Sequence, residues 1–473
     1  MIMQKCDVGL IGAGVMGANL ALNITDHGFS VAVNDISAEK VRAFAEGEGK
    51  GRRILPAYSV AELADGLSRP RAIILLVPAG SPVDDAITAL LPHLEPGDLI
   101  IDSGNSHFTD TIRRDQGLTE KGLQFIGMGI SGGEAGARNG PSLMPGGSGD
   151  GFLRVEKILK AVAANVDGEP CVAYLGPGAA GHYVKMVHNG IEYGMMQLIA
   201  ETYDLMKRGL KMRSAEMADV YEGWDKSDLN SYLTEITARI FRRKDHKKEG
   251  ALLIDFILDR AEQKGTGKWT TMDAMGIQVP TPVIDTAVAM RNMSVLLSER
   301  TAASGKLKGP ENEIRADRDY FLNQLKNALH AAMVLTYSQG FSLLRHASAY
   351  YKFQLDLETV ARIWRGGCII RAALLEKIRS AYREEPVLAN PLVSPVLAQI
   401  ISANEADLRA VVKAAAESGL PAPGMMAALA YYDAYRSAWL PANLIEAQRD
   451  YFGAHTYERT DISGYFHTDW SAV

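Results

Sequence analysis

A glycine-rich turn near the N-terminus limits most strongly how this chain can fold. A short apolar run, residues 6–11, leads into Gly12-Ala13-Gly14-Val15-Met16-Gly17, and a helical pattern follows over residues 18–27. Glycines at this spacing allow a tight turn and a close backbone approach, so that a diphosphate can lie at the helix N-terminus. A second apolar run, residues 30–34, ends at Asp35. Strand, turn, helix and acidic residue together predict a dinucleotide-binding unit.

The segments that follow extend this unit into a Rossmann-type α/β domain. Apolar runs at residues 71–77, 99–102 and 123–128 read as buried strands that alternate with helical patterns. We expect the domain to occupy residues 1–178. The residues expected to contact the cofactor lie in the glycine turn and after the second, third and fourth strands: Gly12, Ala13, Gly14, Val15, Met16, Gly17, Asp35, Ile36, Ser37, Val77, Pro78, Ala79 and Asn105.

The residue that ends the second strand bears on the choice of cofactor. The carboxylate of Asp35 can accept hydrogen bonds from a ribose 2′-hydroxyl but repels a 2′-phosphate. Ile36 and Ser37 offer no arginine for that phosphate, although Lys40 and Arg42 are nearby cations. These residues favour NAD, and NADP is the alternative.

Composition and charge narrow the setting. The 473 residues exceed one ordinary domain, and the net charge of −6 gives no general attraction to nucleic acid or to anionic membranes. The three cysteines lack the spacing of a metal site or a disulfide framework. We see no signal-peptide pattern and no apolar run of membrane-spanning length. We therefore expect a cytoplasmic protein.

A helical pattern around Lys185 carries a second group of polar residues. An α-helix turns about 100° per residue, so His188, Asn189 and Glu192 fall on the same face as Lys185. Taken alone, such a face can be a solvated stripe with an ion pair between residues seven positions apart. After a nucleotide-binding domain, it is instead a candidate for acid–base chemistry.

Six motifs in a fixed order give the chain a recognisable pattern. They are IDSGNS at 101–106, ISGGEAGAR at 130–138, GPSLMPGG at 140–147, KMVHNGIEY at 185–193, KGTGKWT at 264–270 and QRDYFGAH at 448–455. Together they resemble the decarboxylating 6-phosphogluconate dehydrogenase family, from about residue 6 to about residue 458. The resemblance implies metal-independent oxidation of 6-phospho-D-gluconate to ribulose 5-phosphate and CO2, with reduction of NAD or NADP.

The resemblance also implies residue roles. Lys185 would be the general base that takes the 3-hydroxyl proton, and Glu192 the general acid that protonates the enediol. The substrate carboxylate, hydroxyls and phosphate would be bound by Asn105, Ser131, Gly132, Gly133, His188, Asn189, Tyr193, Lys264, Thr266, Arg291, Arg449 and His455. Without the resemblance, residues 132–133 are an ordinary loop turn, and residues 264–268 a helix C-cap and turn.

A few positions depart from the family pattern. NADP-binding members usually carry Asn-Arg-Thr where this chain has Asp35-Ile36-Ser37, and Pro78 replaces a lysine. Ser103 replaces a glycine and His107 a glutamate. The first two departures concern the cofactor, and none of the four falls on the proposed acid–base pair.

From residue 179 onward, apolar residues recur at helical spacing. We expect a large all-α domain, residues 179–437. Residues 200–207 echo 338–345, which favours a duplicated helical bundle. Residues 438–473 form a C-terminal tail that is too broken to add a helical layer. The resemblance implies a homodimer in which Arg449 and His455 of this tail reach the active site of the other subunit.

Two other functions fit parts of the pattern. A β-hydroxyacid dehydrogenase that does not release CO2 would need Lys185, but neither Glu192 as an acid nor a phosphate cluster. A non-catalytic dinucleotide sensor would need none of these side chains beyond its nucleotide domain.

Overall fold

The computed structural model describes residues 5–471, which divide into two compact units, Met1–Ala428 and Leu429–Val473. Residues 1–4 of the predicted first domain, and Ala472 and Val473 of the predicted tail, lie outside the described residues. The first unit contains both a nucleotide-binding half and a helical half. The boundaries predicted after residues 178 and 437 stay predictions.

A seven-stranded sheet of order β3-β2-β1-β4-β5-β6-β7 forms the centre of the nucleotide-binding half. Its strands are β1 Val8–Ile11, β2 Val31–Asn34, β3 Ile54–Pro56, β4 Ala72–Leu75, β5 Leu99–Asp102, β6 Gln124–Ser131 and β7 Ser142–Gly147. All pairs are parallel except β6 with β7. The chain order reverses between β1 and β4, and the crevice at such a reversal is where ligands bind.

Strand β7 was not predicted as a strand. Its sequence contains Pro145, Gly146 and Gly147, residue types that are depleted in strands. In the structure, Ser142 pairs with Ser131 at one end of β6 and Gly147 pairs with Ile126 further back. The glycine-rich motif at 140–147 therefore forms the antiparallel edge of the sheet.

Helices cover both faces of this sheet. They are α1 Val15–Asp26, α2 Ala38–Glu46, α3 Val60–Asp65, α4 Ser81–Leu90, α5 Phe108–Thr119, α6 Gly133–Asn139 and α7 Gly149–Val162. Strand β5 shows how both layers are filled, because Leu99 and Ile101 face one apolar core and Ile100 faces the other. A strand buried on both faces reads as a continuous apolar run. The predicted Rossmann-type fold is confirmed.

The helical half begins with α8, Ala180–Asp204, which continues as a π-helical turn over Leu205–Gly209. A two-stranded hairpin of β8 Asn165–Val166 and β9 Glu169–Pro170 precedes it. The remaining helices are α9 Ser214–Asp225, α10 Tyr232–Arg242, α11 Thr266–Gly276, α12 Pro282–Val295, α13 Leu297–Ser304, α14 Arg318–Tyr351, α15 Leu357–Ile363, α16 Leu374–Glu384, α17 Pro395–Ser418 and α18 Pro423–Tyr435.

The long helix α8 is the axis of this half. It packs against α11, α12 and α14, and α14 packs against α17. The succession α8, α9, α10 is matched by α14, α15, α16, a long helix followed by two shorter ones. The large helical domain is confirmed, and the duplication of its two parts stays a prediction.

The second unit contains a helix that the sequence did not predict, α19 Ala442–Gly453, followed by a hairpin of β10 Tyr457–Glu458 and β11 Tyr465–Phe466. The breaks that we expected in this tail do not prevent a helix of 12 residues. Pro441 lies at the N-cap of α19 and Gly453 is its last residue. These residues therefore bound the helix and do not interrupt it.

Asp450 joins α19 to the rest of the second unit. Its buried carboxylate accepts hydrogen bonds from His467 Nδ1 at 2.9 Å and from Trp470 Nε1 at 2.9 Å. The backbone N–H groups of Thr456 and Thr468 also donate to it, each at 3.0 Å. Four donors converge on one buried carboxylate, which gives this short unit a polar centre.

Within residues 5–471, every helix is too short or too polar to cross a membrane. The same residues contain no group of histidine, cysteine and acidic side chains arranged to hold a metal ion. Cys6, Cys171 and Cys368 are buried free thiols.

Candidate active site

Helix α8 packs closely against strands β6 and β7 because the residues at the contact are glycines. A Cβ atom on Gly129 would lie 2.3 Å from Lys185 Cβ, and one on Gly181 would lie 2.2 Å from Gly127 O. Neither approach is possible with a larger residue at the glycine position. The stem of Lys185 therefore crosses β6 at Gly129, two residues before Ser131 on the same face of the strand.

Four predicted site residues form one hydrogen-bonded chain. Lys185 Nζ donates to Asn189 Oδ1 at 2.8 Å, and the same oxygen accepts from His188 Nδ1 at 3.1 Å. With its proton on Nδ1, the His188 ring accepts from Ser131 Oγ at Nε2, at 3.1 Å. All four side chains are buried. The solvated stripe that we weighed for this helix is therefore excluded.

Burial sets the protonation of these groups. It lowers the pKa of Lys185, and nearby Glu192 only partly opposes the effect. Burial, and next the charge of Lys185, hold the pKa of His188 well below its usual range. Burial raises the pKa of Glu192, while Lys185 and Arg291 lower it. Burial thus shifts the pKa of each of these three groups in the direction that favours its uncharged form.

Glu192 stands between this chain of hydrogen bonds and a cationic end of the site. Its Oε2 lies 3.8 Å from His188 Nδ1. On the next residue, Tyr193, the ring lies under the guanidinium of Arg291 at 3.4 Å from the ring centroid. Arg291 also donates to the backbone oxygen of Glu262 at 3.2 Å. Arg291 therefore places a fixed positive charge against Tyr193, the residue that follows the candidate acid Glu192.

The KGTGKWT motif begins a helix. Gly265, at φ +100°, is the N-cap of α11, and Thr266 is its first residue. The alternative interpretation of this segment as a helix C-cap is wrong. Thr270 Oγ1 donates to the backbone oxygen of Met186 at 2.8 Å, which fastens α11 to α8. Thr266 is buried and Lys264 is exposed.

The loop after β6 is closed by a segment from the helical half. A Cβ atom on Gly132, at φ +117°, would lie 2.6 Å from Gly367 O. The Ile369 N–H donates to Ser131 Oγ at 3.4 Å, and the Trp364 ring contacts His188 edge-on with centroids 5.5 Å apart. Residues 364–369 were missed at the sequence level. They lie more than 200 positions from Ser131, and no motif marks them.

The glycine turn after β1 fits a dinucleotide. Gly12 has φ +109°, and a Cβ atom on Gly17 would lie 1.8 Å from Gly12 O, so α1 starts tightly against β1. Gly14 is the N-cap of α1, and no side chain caps that end of the helix. The backbone N–H groups of the first turn are therefore free to receive a diphosphate.

The carboxylate of Asp35 is already oriented by backbone groups. It accepts from the Ala13 N–H at 2.8 Å and from the Ser37 N–H at 2.9 Å. Ile36 is fully exposed beside it. Val77, Pro78 and Ala79 follow β4 directly, at the neighbouring strand end.

Asn105 is the exposed residue of a loop, residues 103–107, that follows β5. Asp102 holds this loop in place. Its carboxylate accepts hydrogen bonds from Ser106 Oγ at 2.7 Å and from Arg114 Nη1 at 3.2 Å. Arg114 Nη2 also donates to Gly80 O at 2.9 Å. One buried guanidinium therefore holds the loops after β4 and β5 together. Arg114 is not among the residues predicted from the sequence.

Arg449 and His455 belong to the second unit, where both are exposed. Arg449 Nη1 pairs with Glu446 Oε1 at 2.7 Å on α19. Their predicted place in the site of another subunit stays a prediction.

Taken together, a dinucleotide-binding sheet carries a buried chain of lysine, amide and imidazole directly on its edge strands. This arrangement defines a dehydrogenase that uses a dinucleotide cofactor. The profile described as the NAD binding domain of 6-phosphogluconate dehydrogenase matches residues 7–176. The profile of the 6-phosphogluconate dehydrogenase C-terminal domain matches residues 181–470. The chain belongs to the 6-phosphogluconate dehydrogenase family, as its motifs predicted.

Known relatives match over nearly the whole chain. The NADP(+)-dependent, decarboxylating 6-phosphogluconate dehydrogenase of Bacillus subtilis is 50% identical over 469 residues, covering 99% of this chain and 100% of that protein. The decarboxylating enzyme of Synechococcus elongatus is 52% identical, with 98% of each chain covered. A solved structure of Plasmodium falciparum 6-phosphogluconate dehydrogenase superposes with a TM-score of 0.95 at 43% identity, covering 98% of this chain and 100% of that one. That work describes the apo form and complexes with NADP+ and with 6-phosphogluconate.

Proposed function

We propose that this chain catalyses the oxidative decarboxylation of 6-phospho-D-gluconate to D-ribulose 5-phosphate and CO2, with reduction of NAD or NADP. The observation that carries the proposal is the hydrogen bond from buried Lys185 to Asn189, inside a chain that belongs to this enzyme family. Among the relatives, the enzymes of Bacillus subtilis and Synechococcus elongatus are named as decarboxylating.

Lys185 acts twice in this proposal. With its pKa lowered by burial, neutral Lys185 takes the proton of the 3-hydroxyl as the hydride leaves C3. The ammonium group that results stabilises the negative charge on the 3-keto oxygen and gives its proton to that oxygen as the C1–C2 bond breaks and CO2 leaves. A bound nicotinamide ring supplies the acceptor for the hydride.

Glu192 completes the sequence as the general acid. Loss of CO2 leaves an enediol, and the carbon that becomes C1 of the product needs a proton. Burial raises the pKa of Glu192, which favours the protonated carboxyl group required for this step. Lys185, neutral again after protonating the 3-keto oxygen, takes the proton back from the enediol hydroxyl as the C2 carbonyl of ribulose 5-phosphate forms.

The rest of the substrate is assigned by residue type and position. Ser131 and the backbone N–H groups of Gly132 and Gly133 suit the carboxylate. His188 and Asn189, with Asn105 from the loop after β5, suit the hydroxyls. A cationic end suits the phosphate: Tyr193, Lys264, Thr266 and Arg291, joined by Arg449 and His455 from a second subunit.

We propose NAD as the preferred cofactor, with support from the strand-end geometry. The two backbone N–H groups on Asp35 hold its charge where a ribose 2′-hydroxyl binds, and exposed Ile36 cannot pair with a phosphate. Initial rates on 6-phosphogluconate with each cofactor test this. We expect a higher kcat/KM with NAD, reversed in the double variant Asp35→Asn, Ile36→Arg. A native enzyme that strongly prefers NADP would refute the assignment.

We also propose a homodimer in which the tail reaches the other subunit's site. The second unit exposes many large apolar side chains that a partner would cover: Trp439, Leu440, Leu444, Ile445, Tyr451, Phe452, Ile462 and Tyr465. Mixing Lys185→Met subunits with Arg449→Ala subunits tests whether the tail of one subunit completes the active site of the other. A mixed dimer then has one site with both residues intact, and activity returns. If the tail serves its own subunit, every site keeps one defect and the mixture stays inactive.

Substrate analogues test the proposed function itself. Product should form from 6-phosphogluconate and be identified as ribulose 5-phosphate by mass spectrometry. Gluconate, which lacks the phosphate, should be a far poorer substrate. A 3-keto acid released as the final product would instead show a dehydrogenase that does not decarboxylate. Cofactor binding without turnover of either compound would support a dinucleotide sensor.

A further inference from the structure

A buried histidine outside the proposed chemistry lies at the start of α8. His182 is 1% exposed and stands three residues before Lys185, on the same helix. Its ring packs on β6, where a Cβ atom at Gly127 would lie 2.7 Å from Nδ1. Burial lowers the pKa of His182, with the Asp102 carboxylate opposing and Arg114 reinforcing the effect, so the ring is neutral. The backbone of Asp102 and Gly104 also acts on the ring, which lies beside the start of the loop 103–107.

The hydrogen bonds of this ring join it to the helix and the loop beside it. His182 Nδ1 lies 2.7 Å from Thr111 Oγ1, and the Thr111 hydroxyl donates to the backbone oxygen of His107 at 3.3 Å. Hydrogen bonds between the ring and the backbone of Asp102 and Gly104 partly oppose the effect of burial on the pKa of His182. A chain of hydrogen bonds thus runs from His182 through Thr111 to His107.

This chain reaches the loop 103–107 from the side of α8. Asp102 and Arg114 also hold the loop, through Ser106. Arg114 in turn holds Gly80, beyond the predicted cofactor contacts at the end of β4. His182 is therefore the residue of the catalytic helix that is hydrogen-bonded, through Thr111, to the loop that presents Asn105.

We infer that His182 is a positioning residue, which keeps Lys185 on α8 in register with the loop that carries Asn105. The inference rests on the proposed function. In the proposed reaction Lys185 faces the 3-hydroxyl, and Asn105 on the loop 103–107 is assigned to substrate and cofactor contacts. Lys185 and Asn105 belong to different structural halves. A misplacement of about 1 Å between reacting groups lowers rates by roughly a hundredfold. One hydrogen-bonded link between the halves limits such a displacement.

The first experiment compares His182→Leu with the wild type in single turnover. We expect formation of reduced cofactor to slow about tenfold or more, with dissociation constants for cofactor and substrate changed by less than about threefold. Substrate deuterated at C3 identifies the measured phase as hydride transfer. His182→Asn keeps an N–H near the position of Nδ1 and should restore most of the rate. An unchanged single-turnover rate in His182→Leu would overturn the inference.

A second experiment needs no turnover. In the cofactor-free protein, His182→Leu and Thr111→Val should each increase hydrogen exchange of the amides at residues 103–111. The double variant should be no worse than either single variant, because both changes cut one chain. If their effects on these exchange rates multiply instead, the two residues act separately and the inference fails.

His330→Leu is the matched control. His330, on α14, is also buried with Nε2 unpartnered, but it faces Asp228, Lys326 and Lys377. Its replacement should leave hydride transfer and exchange at 103–111 unchanged. An equal loss in this variant would show general damage to the core and contradict a specific role for His182. Failure of the wild-type protein to oxidise 6-phosphogluconate would count against the proposed function alone. The hydrogen-exchange experiment would still test whether His182 and Thr111 hold the loop 103–107.

Discussion

Lys185 Nζ donates a 2.8 Å hydrogen bond to the amide oxygen of Asn189, and the same oxygen accepts from His188. An amide holds the lysine in place by its dipole. A carboxylate at the same position would hold it by charge and keep it protonated. With an amide as partner, burial lowers the lysine pKa. The helix therefore positions the base firmly and still lets it lose its proton.

Replacing Lys185 by Met should nearly abolish turnover while cofactor binding is kept. Methionine fills a similar volume over Gly129 but cannot take the 3-hydroxyl proton. Loss of a general base costs roughly 10²–10⁴-fold in rate. Steady-state rates and cofactor titration measure the two effects, with exposed Lys160→Met as the control. Substantial residual activity would remove Lys185 from the role of base.

Replacing Glu192 by Gln should impair the final protonation more than the oxidation. Glutamine keeps the shape of the half-buried carboxyl group but has no acidic proton to give. We expect a fall of at least about a hundredfold in ribulose 5-phosphate formation, with a smaller effect on single-turnover reduction of the cofactor. Parallel product and cofactor assays separate the steps. Equal wild-type and variant rates of product formation would assign the acid elsewhere.

Replacing Arg291 by Met should weaken recognition of the substrate phosphate. The guanidinium is fixed 3.4 Å over the Tyr193 ring and supplies positive charge at the cationic end of the site. A charge-assisted hydrogen bond contributes about 1.5–3 kcal/mol, so KM for 6-phosphogluconate should rise roughly tenfold or more. The slow reaction with gluconate should hardly change. A KM increase shared by both substrates would indicate distortion of the site.

Glu201 should make stability depend on pH. Its carboxylate, buried on α8, accepts from the N–H groups of Gly424 at 2.6 Å and Met425 at 2.9 Å. Burial raises its pKa from the ordinary 4.5 to about 7. A raised folded-state pKa means that the folded protein loses stability as pH rises from the unfolded value toward the folded one.

The stability lost is set by the difference between the folded-state and unfolded-state pKa values of Glu201, at about 1.4 kcal/mol for each unit of difference. Relative to Glu201→Gln, the free energy of unfolding of the wild type should therefore fall by about 3 kcal/mol between about pH 4 and pH 8. Urea titrations of both proteins across this range measure the difference. Parallel pH curves for wild type and variant would show that the carboxyl titrates normally.

Much of the architecture followed from local patterns. The glycine turn, the apolar strands and the helical spacing around Lys185 each depend on neighbours in sequence, and the structure shows the elements that they predict. The i, i+4 relation of Lys185 and Asn189 is an example, because helix periodicity alone places the two side chains together.

What the sequence patterns missed depends on distant contacts or on how an element ends. Ile369 closes over Ser131 from another half of the unit, and Arg114 joins two strand ends. Such contacts are set by the packing of α8 on β6. Pro145 in β7, and Pro441 and Gly453 around α19, have local propensities against regular structure, yet pairing at a sheet edge and helix-end positions accommodate them.

The central claim is that one site both oxidises 6-phosphogluconate and removes its carboxyl group. The most direct measurement is the ratio of CO2 released to reduced nicotinamide formed, recorded together in one reaction with NAD or NADP. We predict one molecule of CO2 for each reduced cofactor, and neither product from Lys185→Met. Reduction of the cofactor without matching CO2, or no reduction by the wild-type protein, would contradict the account.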